Sequence, residues 1–259
     1  MSGGRDGVVH GATWGVRVTI LLLAGTSEAR DIAAGLARAR RDAVVSLAED
    51  RRAAGAFALP MRLGGFGGPD GFRAYVKDAG ISAVVDATHP YAAEISNRTA
   101  AICTALGLPY LHVVRAPWVP QDGDTWTEIA REEEAAEIIP EHTTVFLGTG
   151  RRSLHRFAGL EGRRVICRLI DPPTAPFPFE GGEFLIGRPP FAVAREVSVF
   201  TQLGIDWIVV KNAGGEASAT KLIAARMLGI PVVMIARPKM PLALRVETAQ
   251  DAVAWALSQ

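Results

Sequence analysis

The run VTILLLAG at positions 18–25 is apolar at every position but Thr19 and leads through Thr26 into SEARDIAAGLARARR, where Ile32 and Leu36 lie one turn apart with arginines on the outer face. A strand with no polar alternation needs cover on both faces, which is the condition of a parallel sheet flanked by helices. The same strand-then-helix unit recurs along the chain. AVVSL (43–47), ISAVVDA (81–87) and PYLHVV (109–114) read as strands, and PDGFRAYVKDAG and PYAAEISNRTAAICTAL as helices stopped by Gly80 and Gly107. RAPWVPQDGD (115–124) shifts to Pro, Gly and Asp and reads as a linker. Beyond it the alternation restarts. REEEAAEII, RRSLHRFAGL, FAVAREVSVFTQLG, EASATKLIAARMLG and ETAQDAVAWALSQ read as helices. TTVFLGTG, RRVICRLI, DWIVVKN and IPVVMIA read as strands. DPPTAPFPFEGG (171–182) carries too many prolines to be helix or central strand and is expected to be a loop.

The two halves resemble each other. LGLPYLHVVRAPWVP (106–120) matches LGIPVVMIARPKMP (228–241), AGISAVVDA matches LGIDWIVVKN, and LLLAGTS matches VFLGTGR, all at an offset of about 122 to 124 residues. The expectation is an α/β protein of two similar Rossmann-like, doubly wound parallel-sheet domains, residues 17–120 and 121–259, after a polar, Gly-rich leader over 1–16. Ligands of such sheets lie at the carboxyl ends of the strands, so a cleft between two units suits two substrates. Because the halves are alike and the linker is short, a terminal strand can also pair with the other half.

Composition narrows the class. With 28 basic and 27 acidic residues in 259, net charge gives no electrostatic case for nucleic acid or an anionic membrane. No apolar run reaches the ~18 residues that span a bilayer. Cys103 and Cys167 sit in apolar runs far from any metal-ligand spacing, as expected of buried, reduced thiols in a cytoplasmic enzyme. Only four of the basic residues are lysines (Lys77, Lys211, Lys221, Lys239), and the arginine excess suits planar recognition of carboxylates or phosphates. The signatures of G-x-S-x-G hydrolases, H-E-x-x-H zinc proteases and P-loop enzymes are all missing.

Four strand-to-helix junctions carry the candidate chemistry. At Gly25-Thr26-Ser27-Glu28-Ala29-Arg30 a tight turn leads into a helix start whose amides favour an anion, with Arg30 one turn in. At Gly148-Thr149-Gly150-Arg151-Arg152 two glycines let backbone approach a pyrophosphate, and the arginine pair suits a 2′-phosphate. Asp86-Ala87-Thr88-His89-Pro90-Tyr91 ends a strand with a polar cluster in which His89 is held extended before Pro90. Lys211-Asn212-Ala213-Gly214-Gly215, followed by Ser218, Thr220 and Lys221, offers charge and open amides to a phosphate.

LLLAGTSEAR, VVDATHPYA, GTGR, KNAGG and ARPKMP, in this order and spacing, resemble the precorrin-6A reductase family of corrin biosynthesis over about residues 17–259. The resemblance implies NADPH-dependent reduction of a macrocycle double bond of precorrin-6A to give precorrin-6B, with no covalent nucleophile or metal. A related branch acts on the cobalt-containing intermediate with NADH. The alternatives are another NAD(P)-dependent reductase on this fold, or a non-enzymatic tetrapyrrole carrier that hands its ligand to the next enzyme. On this footing Gly148, Thr149, Gly150, Arg151, Arg152, Lys211, Asn212, Gly214 and Lys221 are expected to hold NADPH. Gly25, Thr26, Ser27, Glu28, Arg30, Asp86, Thr88, His89 and Arg168 are expected to face the macrocycle, with the opposite split fitting nearly as well. His89 or Tyr91 is expected to donate the balancing proton if solvent does not, and Arg30, Arg115, Arg168, Arg188 or Arg237 to pair with the substrate's carboxylates.

Overall fold

The alternation resolves into two six-stranded sheets, all of whose pairings are parallel. The computed structural model describes residues 19–48 and 57–259; the expected leader lies outside them. The first half runs β1 (Thr19–Ala24), α1 (Ser27–Arg38), β2 (Ala43–Leu47), β3 (Met61–Leu63), α2 (Gly68–Asp78), β4 (Ile81–Ala87), α3 (Ala93–Leu106) and β5 (Tyr110–Val113). The first half's sixth strand in chain order is β6 (Trp126–Ile129), and the second half then runs α4 (Ala135–Ile138), β7 (Thr144–Leu147), a 3₁₀ run over Arg151–Leu160, β8 (Arg164–Leu169) and β9 (Gly182–Ile186). It continues with α5 (Val193–Leu203), β10 (Trp207–Lys211), α6 (Thr220–Leu228), β11 (Val232–Ile235), β12 (Leu244–Val246) and α7 (Ala249–Leu257).

The sheet orders are β12-β5-β4-β1-β2-β3 and β6-β11-β10-β7-β8-β9. Each is the doubly wound order whose crevice opens where the first strand of the half meets the fourth, β1 beside β4 and β7 beside β10. The outermost strand beyond β5 is β12, from the end of the chain, and the one beyond β11 is β6, from just after the linker. The halves thus exchange their sixth strands. This corrects the expected boundary: residues 121–259 do not form one unit, because β12 and α7 belong to the first. The physical reason is burial. Ala252 and Ala256 of α7 are wholly buried against Ile32 and Leu36, and Val253 packs so closely on Gly35 that a Cβ there would lie 2.6 Å from its methyl.

Side chains of β1 alternate between two cores, as a doubly covered strand requires. Ile20 and Leu22 face α1 and α7, while Leu21 and Leu23 face Phe72, Val76 and Ile102 of α2 and α3. The second sheet does the same, with Val145 and Leu147 on the 3₁₀ side and Phe146 on the α5 and α6 side. Each such buried side chain contributes about 1.5–3 kcal/mol. Both cysteines are free and buried, and burial pushes each thiol up to about 12.

Candidate active site

Most of the candidate side chains collect at the carboxyl ends of β1, β4, β7 and β8. Gly25 ends β1, and a Cβ there would stand 3.1 Å from the His89 amide nitrogen and 3.2 Å from the Thr88 Cα. Only glycine lets the two strand ends approach this closely. Thr26 gives its hydroxyl to the Ala87 carbonyl (2.9 Å) instead of capping α1, so the first-turn amides of that helix have no side-chain cap. Glu28 meets Arg115 at 2.6 Å; burial pushes its carboxyl up, but hydrogen bonds and the Arg115 charge outweigh that and leave it lowered. A cavity of about 440 Å³ opens above this turn, lined also by Arg30, Ser46, Thr88, His89 and, from the other half, Arg152.

Asp86 lies beneath this cavity. Wholly buried, it accepts the Thr88 amide (3.0 Å) and the Tyr110 hydroxyl (2.7 Å), and so shapes the turn that presents His89. The imidazole Nδ1 accepts the Tyr91 amide (3.2 Å), which leaves the proton of the neutral ring on Nε2. Burial, then the charges of Lys211, Arg115 and Arg237, lower His89 to about 4. Tyr91 lines neither main cavity. Its hydroxyl donates to the Ile235 carbonyl, accepts the Asn212 amide (2.6 Å) and is raised to about 12 by burial, so it ties the halves together. Its expected role as proton donor has no geometric support.

A second cavity of about 540 Å³ lies at the end of β7 and is lined by Gly148, Thr149, Gly150, Arg151, Arg168, Lys221 and, from the first half, His89. The Thr149 hydroxyl is buried without a hydrogen-bond partner. The Arg168 guanidinium forks onto Glu196 with two bonds of 2.6 Å and sits 4.7 and 4.3 Å from the Phe146 and Phe191 ring centres. Lys221 gives a hydrogen bond to the Ser218 carbonyl and is lowered to about 8 by burial, with Glu196 opposing and Arg168 adding to the shift.

The KNAGG junction is elsewhere. Lys211 bonds Ser153 (3.1 Å) and pairs with Glu132 (3.4 Å). The Asn212 side chain holds both backbone groups of Trp118 (2.8 and 2.9 Å). A Cβ on Gly214 would strike the Ala116 carbonyl at 2.2 Å. Asn212 and Gly214 clamp the crossing linker, and neither they nor Lys211 line a main cavity. Arg237 and Arg115 join the clamp: Arg237 reaches the Asn212 and Arg115 carbonyls (2.7 Å each) and Arg115 the Gly214 carbonyl (3.2 Å). Arg188 is held by Asp171 (3.1 Å). Of the expected carboxylate partners, Arg30 and Arg168 line cavities, but in different halves. Sequence reasoning missed Glu196 and Phe191, which no local signal marks, and Ser46, whose place at the end of β2 was its one clue.

The family model for "Precorrin-6x reductase CbiJ/CobK" matches residues 19–257. The chain belongs to this family. The precorrin-6A reductase of Rhodococcus erythropolis is 41% identical over 239 residues, covering 91% of this chain and 96% of that one. That of Rhodobacter capsulatus is 38% identical over 237 residues, covering 91% and 94%. A cobalt-precorrin-6A reductase of Priestia megaterium is 27% identical over 247 residues, covering 90% and 96%. The solved structure titled "CobK precorrin-6A reductase" superposes with a TM-score of 0.87 at 38% identity, covering 93% of this chain and 97% of that chain. The matched span takes in β6 and β12, the two strands that cross between the halves of this chain. Among the described residues, no helix is long and apolar enough to cross a membrane.

Proposed function

We propose that this chain catalyses the NADPH-dependent reduction of a macrocycle double bond of precorrin-6A to give precorrin-6B in cobalamin biosynthesis. One observation carries the reading: His89 lines both main cavities, so a ligand seated in each would meet its neighbour beside that ring. When bound, the nicotinamide supplies the hydride; the protein contributes alignment and exclusion of water.

The first-half cavity fits the dinucleotide. Its Gly25 turn feeds an α-helix of 12 residues whose first amides have no side-chain cap, and Arg30 and Arg152 add charge for phosphates. The matching second-half turn feeds a 3₁₀ run instead, whose hydrogen bonds align less well. The macrocycle then takes the larger second-half cavity, where Arg151, Arg168 and Lys221 suit a polycarboxylate. This reverses the split expected from sequence for Gly25, Thr26, Arg30, Thr88, Gly148, Thr149, Gly150, Arg151 and Lys221, and keeps it for Arg152 and Arg168, with His89 on both cavities. Reduction adds a hydride to one atom of the double bond and a proton to the other. His89, neutral near pH 7, orients through its Nε2 hydrogen. Lys221, an ammonium lowered to about 8, has an acidity suited to supplying the proton.

The test is oxidation of NADPH by the purified protein with metal-free precorrin-6A, with NADH and the cobalt form in parallel. Turnover with NADPH and the metal-free pigment is expected. Pigment binding with neither nucleotide oxidised would refute the reductase reading and leave a carrier.

A further inference from the structure

A third cavity, of about 330 Å³, lies between the start of the 3₁₀ run and the proline-rich loop, and no step above uses it. It adjoins the second-half cavity, with Arg151 and Leu169 lining both. Three nitrogen-bearing side chains face it from one side: Arg151, Arg152 and His155. The opposite wall is the loop segment 173–178, polar only at Thr174.

That wall is built to stay in place. Prolines 172, 173, 176 and 178 restrict its backbone. Phe177 is wedged between Phe179 (4.9 Å, 89°) and Phe184 (4.9 Å, 44°), and so close over Gly182 that a Cβ there would lie 1.9 Å from its ring. Side chains 172–176 remain exposed, so the fold gains little burial from them. A rigid apolar wall facing cationic forks, at the rim of a larger cavity, suits a short aliphatic chain ending in a carboxylate.

We propose that the third cavity is the subsite for one acetate or propionate arm of the tetrapyrrole, its methylenes on the 173–178 wall and its carboxylate on Arg151 and His155. The proposal rests on the reading of the second-half cavity as the macrocycle site.

Two variants confined to the third cavity test it. His155→Glu places a like charge against the carboxylate, and Ala175→Trp fills the space; both alter exposed positions and leave the core intact. Each should raise KM for precorrin-6A roughly ten-fold, the scale of one charge-assisted contact, with KM for NADPH unmoved. His155→Arg should restore the wild-type KM. Uroporphyrin, a tetrapyrrole with acetate and propionate arms, serves as an equilibrium probe through its absorbance shift, and its Kd should move in parallel. If KM and Kd of both variants stay within about two-fold of wild type, the subsite is refuted. If the wild type fails to oxidise NADPH with precorrin-6A, the reductase reading falls, and the uroporphyrin titration still decides the subsite.

Discussion

Replacing Glu196 with alanine strands the Arg168 guanidinium beneath the larger cavity. The Glu196 side chain is 1% exposed and that of Arg168 12%, so water reaches neither group well enough to replace the other. Removing one partner of a buried, bidentate pair costs about 3–5 kcal/mol, chiefly through the charge left behind. For a protein of this size each kcal/mol lowers Tm by about 2–4 °C, so Glu196→Ala should melt about 6–20 °C below wild type. The Phe146 and Phe191 rings retain some favourable contact with the orphaned cation, which places the loss toward the lower end. Urea unfolding followed by far-UV circular dichroism measures the difference, and a double variant tests its cause. Arg168→Met with Glu196→Leu removes both charges while filling the volume, and should regain most of the lost stability. A single variant within about 1 kcal/mol of wild type would refute the reasoning. So would a double variant as unstable as the single.

Four further outcomes follow from the same geometry. Lys221 is lowered from 10.5 to about 8, so between those values the unfolded chain binds a proton that the native chain has shed. Stability should therefore climb with pH across that window; Lys221→Met should abolish the climb, stabilise the protein by about 1–3 kcal/mol at pH 7 and slow turnover, and a destabilised variant contradicts this. The His89 ring protons should titrate in NMR spectra near pH 4, its neutral-state contribution to stability fading as pH falls from 6.5 toward 4; a midpoint near 6.5 would show the ring to be ordinary. Gly25→Ala must push β1 and β4 apart by a few tenths of an ångström, costing about 1–3 kcal/mol and weakening NADPH in fluorescence titration, and an unchanged Kd would remove the first-half cavity from consideration. Ending the chain after Pro241 deletes β12 and α7, so limited proteolysis should cut the first half well before the second; equal resistance would deny α7 its place in that core.

What the sequence makes legible is the interior of each sheet. β1, β2 and β4 are read at their observed limits or within one residue, because fully buried parallel strands carry continuous apolar runs. β3, β6, β9 and β12 are the four outer strands, and all four escape the reading. They are three to five residues long and half exposed, so neither length nor apolar periodicity separates them from loop. The strand junctions are legible in the sequence, but the packing that shapes them is not. KNAGG has the open glycines of a phosphate cradle, yet those glycines exist because Ala116 and the Arg115 and Arg237 side chains pass within contact of them. Asp86 reads as a ligand group and acts as the buried brace of a turn. Nothing local announces Glu196, since its partner lies in a different element and meets it only through the packing of α5 on the second sheet.

The strand exchange bears directly on catalysis. Arg115 and Arg237 each lie two residues beyond a fifth strand, β5 or β11, where the chain leaves one sheet for the other. Their side chains bind the crossing segments to each other and to the Glu28 turn and the Asn212 turn. Separating the halves would require breaking β12 from β5 or β6 from β11, which are main-chain ladders rather than side-chain contacts. Hydride transfer demands that donor and acceptor atoms be held about 3–3.5 Å apart. Two independent domains on a flexible linker would have to regain that spacing at each turnover against the freedom of hinge motion. A chain that threads each half through the other keeps the two cavities, and the His89 ring between them, in one fixed relation. That constraint accounts for why two arginines, Arg115 and Arg237, are spent on carbonyls at the crossing.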